Sequence, residues 1–523
     1  MAKASVVLFL SATTRSLARY LMKASIPFPP KDAVNFCDFV THAPTPFHAV
    51  AHLTTRLFTS GFVPISERSP SSSLEPGGKY YYTRNQSSLV AFTLPAKPLP
   101  ETAISFAVGH LDSPCLKVRP VSKKTKSNYL QVGVELYGGG IWHSWFDRDL
   151  SLAGRVIVAN REAHHSEDPK FVSKLVKIDR PILRIPTLAI HLDRTANDNF
   201  KFNKETEFQP ILGLVEDALN ATDAGLGMKR SHSGTPHQPL AKNDSHEAEK
   251  SDDLFNVANM EDKHHPKLLS VLADELGCDI ADIQDFELSL YDTQPSTVGG
   301  LSNEFVYSPR IDNLMTSFCT IEALCEAVKT SSAGEESDIR CVILFDNEEV
   351  GSVSHHGAES NLLPAFVERI VQMKDYKDMG YYAMLANSFL ISADMGHAIH
   401  PNYESRYEPN LAPKINGGIV IKTNANQRYT SNAQTTFLLR RVAKKAGVPV
   451  QEFEIRNDST CGSTVGPHLS THVRTVDIGL AQLSMHSIRE TAGSHDVRHY
   501  IDFFKIFFQG FGEIDRELRI DWH

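Results

Sequence analysis

Apolar residues in this chain fall into short unbroken runs that stop abruptly at charged residues. Val342 to Phe345 is one such run, and it ends in Asp346-Asn347-Glu348-Glu349. A run of this length without alternation predicts a strand buried on both faces, as in a parallel sheet. Ile104 to Val108 predicts a second such strand, ending in His110-Leu111-Asp112. Leu390 to Ala393 predicts a third, ending in Asp394 with His397 shortly after. Gly418 to Lys422 is a short apolar strand that ends in a lysine. Phe453 to Arg456 reads as a further strand, and Val473 to Ile478 as the last buried one. Met485 to Glu490 and a C-terminal helix follow.

Helical spacing is found between Asp32 and Phe62, where Pro44-Thr45-Pro46 divides two helices. Further helices are predicted over Pro266 to Leu276, from Pro309 through Val328, and over about Asn432 to Ala446. Asp312 lies near the start of the second of these, where a carboxylate suits the helix dipole. Lys79 to Leu94 alternates and predicts a hairpin around Asn85-Gln86. From Leu116 to about Thr293 the pattern is mostly strand-like. It carries an aromatic cluster at Trp142 to Arg148 that suits a core or a subunit interface equally well. The fold class expected is α/β: a mixed, mainly parallel sheet flanked by helices, with an inserted β-rich domain. The expected boundaries are 31–116 and 296–523 for the two parts of the first domain and 117–295 for the insert.

Composition narrows the function. A chain of 523 residues has room for roughly three domains. The net charge of -9 gives no reason to expect nucleic acid as a partner. Seven cysteines without a CxxC pair suggest reduced thiols and no disulfide framework. An intracellular, cytoplasmic location is therefore expected, and no apolar run approaches the length of a membrane span. The first thirty residues have four basic residues and no acid, which resembles an organelle transit peptide or a disordered N-terminus. Import through that segment and delivery to a vacuole are alternatives to the cytoplasm. Ser231 to Asp253 is rich in Ser, His, Asp, Glu and Lys and reads as a flexible surface loop.

The ends of the apolar runs carry the chemistry. Acids at the carboxyl end of a buried strand cost free energy to desolvate unless a cation compensates them. In open α/β sheets that edge is also where ligands bind. His110 and Asp112, two apart in an extended chain, face the same side. Asp112 can then hold one ring nitrogen while the other binds a metal. Taken singly, each signal has a bland reading: a solvated acidic turn, a strand-end hydrogen bond, an N-cap. Together, His110, Asp312, Glu349, Asp394 and His486 form a mixed nitrogen and oxygen set suited to zinc or a related divalent ion. Five ligands are too many for one open catalytic zinc, and the right number for two ions if one carboxylate bridges. In an extended segment adjacent glutamates point apart, which leaves Glu348 free as a general base.

The chain resembles the aspartyl aminopeptidases, within the larger group of dizinc exopeptidases. The motifs are His110 to Lys117, Tyr137 to Gly140, Trp145 to Leu150, Ile185 to Arg194, Pro309 to Asn313, Asp346 to Ser352 and Met485 to Glu490. The likeness runs from about Asp32 to Gly512. It implies two divalent metal ions per subunit, zinc first among them. His110 and Asp394 would bind one ion, Glu349 and His486 the other, and Asp312 would bridge. It implies a cis peptide between Asp312 and Asn313, Asp112 orienting His110, and Glu348 as the base. It implies that His191, on an inserted dimerisation domain, reaches a neighbouring subunit's active site and stabilises the developing oxyanion. His397, Lys422 and Tyr429 match substrate-contacting positions, beside Glu348 and Asp394. Dimers assembling into a dodecamer are implied as well. The expected activity is release of N-terminal Asp, and less readily Glu, by attack of a metal-activated water on the first peptide bond. Two alternatives differ in what they predict. Another dizinc exopeptidase would prefer neutral N-termini, and a self-assembling shell or cargo protein would have only secondary activity.

Overall fold

In the computed structural model, residues 27–520 are described except 71–72, 100, 162–168, 216–259 and 331–336. The basic N-terminal stretch up to residue 26 and the Ser231 to Asp253 segment lie outside the described residues.

The main sheet has nine strands. Their order is Val63–Pro64, Lys79–Arg84, Ser88–Thr93, Ile339–Phe345, Ile104–His110, Phe389–Ala393, Arg474–Gly479, Ile419–Lys422 and Val450–Phe453. Five neighbouring pairs are parallel and three antiparallel, so the sheet is mixed and mainly parallel. Among the central four strands, the unbroken apolar runs are buried on both sides. In Ile339–Phe345, Val342 and Leu344 pack with the helices Lys31–His42, Pro46–Thr59, Ile311–Thr330 and Asp496–Arg516. Cys341, Ile343 and Phe345 pack on the opposite face with Leu362–Val371. This alternation explains why the sequence needs apolar residues at every position there. The four strands run in the same direction, so their carboxyl ends, and the polar residues that terminate them, share one edge.

A second, fully antiparallel sheet of six strands is built from the region between Cys115 and Asp292. It has a separate core that includes Trp142, Trp145, Leu152, Val156 and Phe208. The aromatic cluster is therefore interior in this chain: Trp142 and Trp145 are buried, and Phe146 packs edge-on against Phe200 and Phe202.

Three expectations need correction. The strand placed at Phe453 to Arg456 is Val450–Phe453, because its register is set by pairing with Ile419–Lys422. Val473 to Ile478 is not the last buried strand, since Ala481–Leu483 and Glu490–Gly493 follow it in a third, five-stranded sheet. The Glu348-Glu349 segment is not extended. It forms a single 3-10 turn, Glu348–Val350, entered through Asn347 at φ 60°.

Candidate active site

His110 ends its strand and Asp394 directly follows the neighbouring one, so both sit on the shared carboxyl edge. Backbone pairing continues past the strand ends, with Leu111 N–H donating to Phe345 O at 2.8 Å and Asp394 N–H to Ile478 O at 3.0 Å. Asp312 and Asn313 depart from helical dihedrals at the start of Ile311–Thr330, and the peptide between them is cis. That departure takes Asp312 out of the N-cap role. Its carboxylate instead lies between two imidazoles. Oδ1 is 3.4 Å from His110 Nε2, and Oδ2 is 3.4 Å from His486 Nε2. Asp394 Oδ1 is 3.4 Å from His110 Nε2, and Glu349 Oε2 is 3.3 Å from His486 Nε2.

Two surrounding carboxylates hold this arrangement. Asp112 is buried, and its carboxylate accepts the Glu348 and Glu349 N–H groups at 3.1 and 3.0 Å and the Tyr137 hydroxyl at 2.7 Å. Its oxygens also lie beside His110 Nδ1, the backbone O at 3.0 Å and Oδ1 at 3.4 Å. Glu490 is buried as well and accepts the Asp312 N–H at 3.1 Å and the His486 N–H at 2.8 Å. Gly138, at φ 74°, lets the chain pass close by. A Cβ there would lie 3.2 Å from Glu349 Cβ and 3.3 Å from Pro114.

The electrostatics are those of an anionic cluster around two rings. Burial opposes protonation of both histidines, yet the carboxylates prevail and push His486 up to about 12 and His110 well above its ordinary value. Burial raises Glu349 to about 7, with His486 opposing. Burial also raises Glu348 well above the carboxylate range, with His110 opposing and Asp394 and Glu349 adding to the rise. Asp312 is held low despite its burial by His110 and His486.

The donor set fits divalent cations. Asp312 Oδ1, Glu349 Oε1 and Asp394 Oδ1 are buried without a hydrogen-bond partner, which is costly unless something else satisfies them. The separations of 3.3–3.4 Å are longer than a good N–H···O hydrogen bond. Two donors bound to one tetrahedral zinc at about 2.0–2.1 Å stand about 3.3 Å apart. Ligand atoms of His110, Asp312 and Asp394 lie within 4.8 Å of one another, as do those of Asp312, Glu349 and His486. Asp312 is common to both groups. Because of the 3-10 turn, Glu348 joins His110 and Glu349 in a third such group, with Oε2 3.8 Å from His110 Nε2.

The remaining predicted residues fall into two sets. Lys422 is 2% exposed, donates to Met395 O at 2.6 Å and lies 3.7 Å from Asp394 Oδ2. Its ammonium is 5.4 Å from the centre of the Tyr429 ring, and Tyr429 and His397 both pack against Phe453. Lys422, Tyr429 and His397 thus adjoin the Asp394 side of the cluster. His191 does not. It stands on an exposed turn between Leu188 and Leu192, and its side chain has no hydrogen bond or ion pair among the described residues. Asp346 also turns away, towards His356 Nε2 at 3.6 Å. Sequence reasoning assigned no role to Glu490 or to the Tyr137 hydroxyl.

This fold and cluster define a peptidase of the metal-dependent exopeptidase type. The chain belongs to the family described as Aminopeptidase I zinc metalloprotease (M18), which it matches over residues 39–508. It is 48% identical to the aspartyl aminopeptidase of Aspergillus oryzae, covering 94% of this chain and 98% of that one. It is 46% identical to aspartyl aminopeptidase 1 of Schizosaccharomyces pombe, covering 94% and 97%. Among solved structures, Ape4 from the cryo-EM structure of the Ape4 and Nbr1 complex superimposes with a TM-score of 0.82 at 45% identity, covering 94% of this chain and 88% of that one. The Saccharomyces cerevisiae mApe1 dodecamer gives 0.76 at 29% identity, covering 93% and 98%.

Proposed function

We propose that this metalloaminopeptidase releases N-terminal Asp, and less readily Glu, from peptides. The observation that carries the metal site is the set of four ring-to-carboxylate separations of 3.3–3.4 Å, two of them made by Asp312, one to each imidazole. His110 and Asp394 would hold one ion, Glu349 and His486 the other, with Asp312 shared between them; zinc suits this donor set. Bound there, the ions supply a polarised scissile carbonyl and a water acidic enough to lose its proton near neutral pH. With cations offsetting the negative charge of Asp394 and Glu349 beside it, Glu348 would be ionised; it would then accept that proton and return it to the departing amine. Asp112 fixes the His110 ring and the turn that presents Glu348. Lys422, flanked by Tyr429 and His397, pairs with the substrate's side-chain carboxylate. The names of the relatives support the acidic preference.

The exposed turn bearing His191 suits a role in another subunit, where the imidazole would donate to the developing oxyanion. That reading makes residues 117–295 a dimerisation domain and the working protein a homo-oligomer. The twelve-subunit form of mApe1 supports a dodecamer. No described helix is long and apolar enough to cross a membrane. The free cysteines suit a reducing compartment; the cytoplasm is our first choice, and organelle import or vacuolar delivery are the alternatives.

The test is hydrolysis of aspartyl, glutamyl, leucyl and lysyl substrates by purified protein, with and without chelator. Chelator-sensitive aspartyl cleavage is expected. A leucyl preference would retain the metal site and remove the role given to Lys422. No cleavage by a metal-loaded assembly would favour the shell or cargo alternative.

A further inference from the structure

The two halves of the metal cluster come from segments far apart in the chain. Asp312 opens a helix, whereas His486 sits at φ 67° in a turn between the strands Ala481–Leu483 and Glu490–Gly493. Neither backbone is fixed at these points by a regular ladder. One side chain spans them. Glu490, 2% exposed, accepts the Asp312 N–H through Oε2 and the His486 N–H through Oε1. A neighbouring amide, Gln482 Nε2, lies 3.4 Å from Oε1. Glu490 is also the first residue of its strand, where pairing with Phe305–Ser308 anchors its backbone opposite Ser308. The carboxylate is therefore held from behind while both of its oxygens face ligand-bearing segments.

We infer that Glu490 is a positioning residue for the ion site formed by Asp312, Glu349 and His486. It acts through the two backbones and contacts no ion itself. The inference rests on the two-ion reading above. Its consequence is asymmetric. Asp112 braces His110 and the Glu348-Glu349 turn independently of Glu490. Loss of Glu490 frees Asp312, which serves both ions, and His486, which serves one, and therefore weakens the Glu349–His486 ion more than the His110–Asp394 ion. Outer residues that orient metal ligands are typically worth about 10- to 100-fold in metal affinity.

Glutamine at this position retains one acceptor oxygen and turns an amide N–H group towards the other backbone N–H. Alanine removes both acceptors. The experiment is zinc titration of the metal-stripped full-length protein and of Glu490→Gln and Glu490→Ala, with thermal unfolding as the check on folding. Wild-type protein is expected to bind two zinc ions per chain. The folded glutamine variant is expected to bind one of them with near wild-type affinity and the other about 10- to 100-fold more weakly. Zinc-edge anomalous scattering from crystals of the variant should show the weakened peak beside His486. If wild-type protein binds fewer than two ions, the two-ion reading fails first. If wild-type protein binds two and the glutamine variant binds both unchanged, or loses both equally, the positioning role of Glu490 is overturned.

Discussion

Asp312 faces His486 across 3.4 Å through Oδ2 while its other oxygen faces His110 at the same distance. One carboxylate thereby joins the helix side of the fold to the carboxyl edge of the central sheet and to the turn before Glu490. Most of the predicted chemistry depends on that junction.

Glu348 is the group whose loss should separate catalysis from metal binding. Its turn is held by Asp112 through backbone N–H groups, so Glu348→Gln keeps the geometry and removes the proposed base. General-base catalysis is worth about 10²- to 10⁴-fold. We expect kcat to fall in that range with zinc content unchanged by elemental analysis. A variant that loses zinc along with activity would make Glu348 a ligand.

Lys422 should set substrate preference. Removing one partner of a desolvated charge pair costs about 2–5 kcal/mol. Lys422→Met is expected to lower kcat/KM for aspartyl substrates by roughly 100-fold relative to leucyl ones. The ratio is the informative readout, because Lys422 also lies 3.7 Å from Asp394 and a weakened metal site would slow both substrates alike. An unchanged ratio contradicts the assignment.

His191 stands on an exposed turn without a contact to the cluster of its own chain, so the role proposed for it is one in another subunit. Mixed oligomers of His191→Ala and Glu348→Gln chains should recover activity well above either parent. In such hybrids a site with intact Glu348 receives an intact His191 from its neighbour. Mixtures no more active than the parents would place His191 outside the reaction.

His48 gives a stability prediction away from the site. Its ring is buried with Nδ1 2.8 Å from Thr45 Oγ1, and burial, with His52, Lys177 and Arg310 adding, lowers its pKa to about 4. Between about 4 and the ordinary value near 6.5, the unfolded chain binds a proton that the folded chain does not. Stability is therefore full above that window and falls as pH drops through it, by at most about 3 kcal/mol for this group. Chemical denaturation at several pH values should show a shallower fall for His48→Gln. Equal slopes would assign the acid sensitivity to other groups.

Much of this arrangement was legible in the sequence, for a physical reason. Strands buried on both faces must be apolar throughout, so the polar residues that end them, such as His110 and Asp394, stand out. Taken locally, Asp312 reads only as a helix start; its place in the ligand set comes from the company of the other strand ends, and its bridging position and cis peptide from the family resemblance, because the departure from helical dihedrals leaves no local signal. The strands at 297–299, 305–308 and 481–483 were missed because so few residues show no periodicity. The strand at Val450–Phe453 was displaced because apolar residues continue to Ile455, and only pairing with Ile419–Lys422 fixes where it stops. Glu490 closes a motif that was recognised as a whole, yet its role depends on two backbone N–H groups, one of them 178 residues away. No pattern within a single segment encodes that contact.

The central claim is that Asp312 joins two ion sites. Anomalous diffraction at the zinc edge from metal-loaded crystals tests it most directly. The account predicts two peaks, both in contact with Asp312, one also touching His110 and Asp394 and the other Glu349 and His486. A single peak, or two peaks of which one lies away from Asp312, would contradict it.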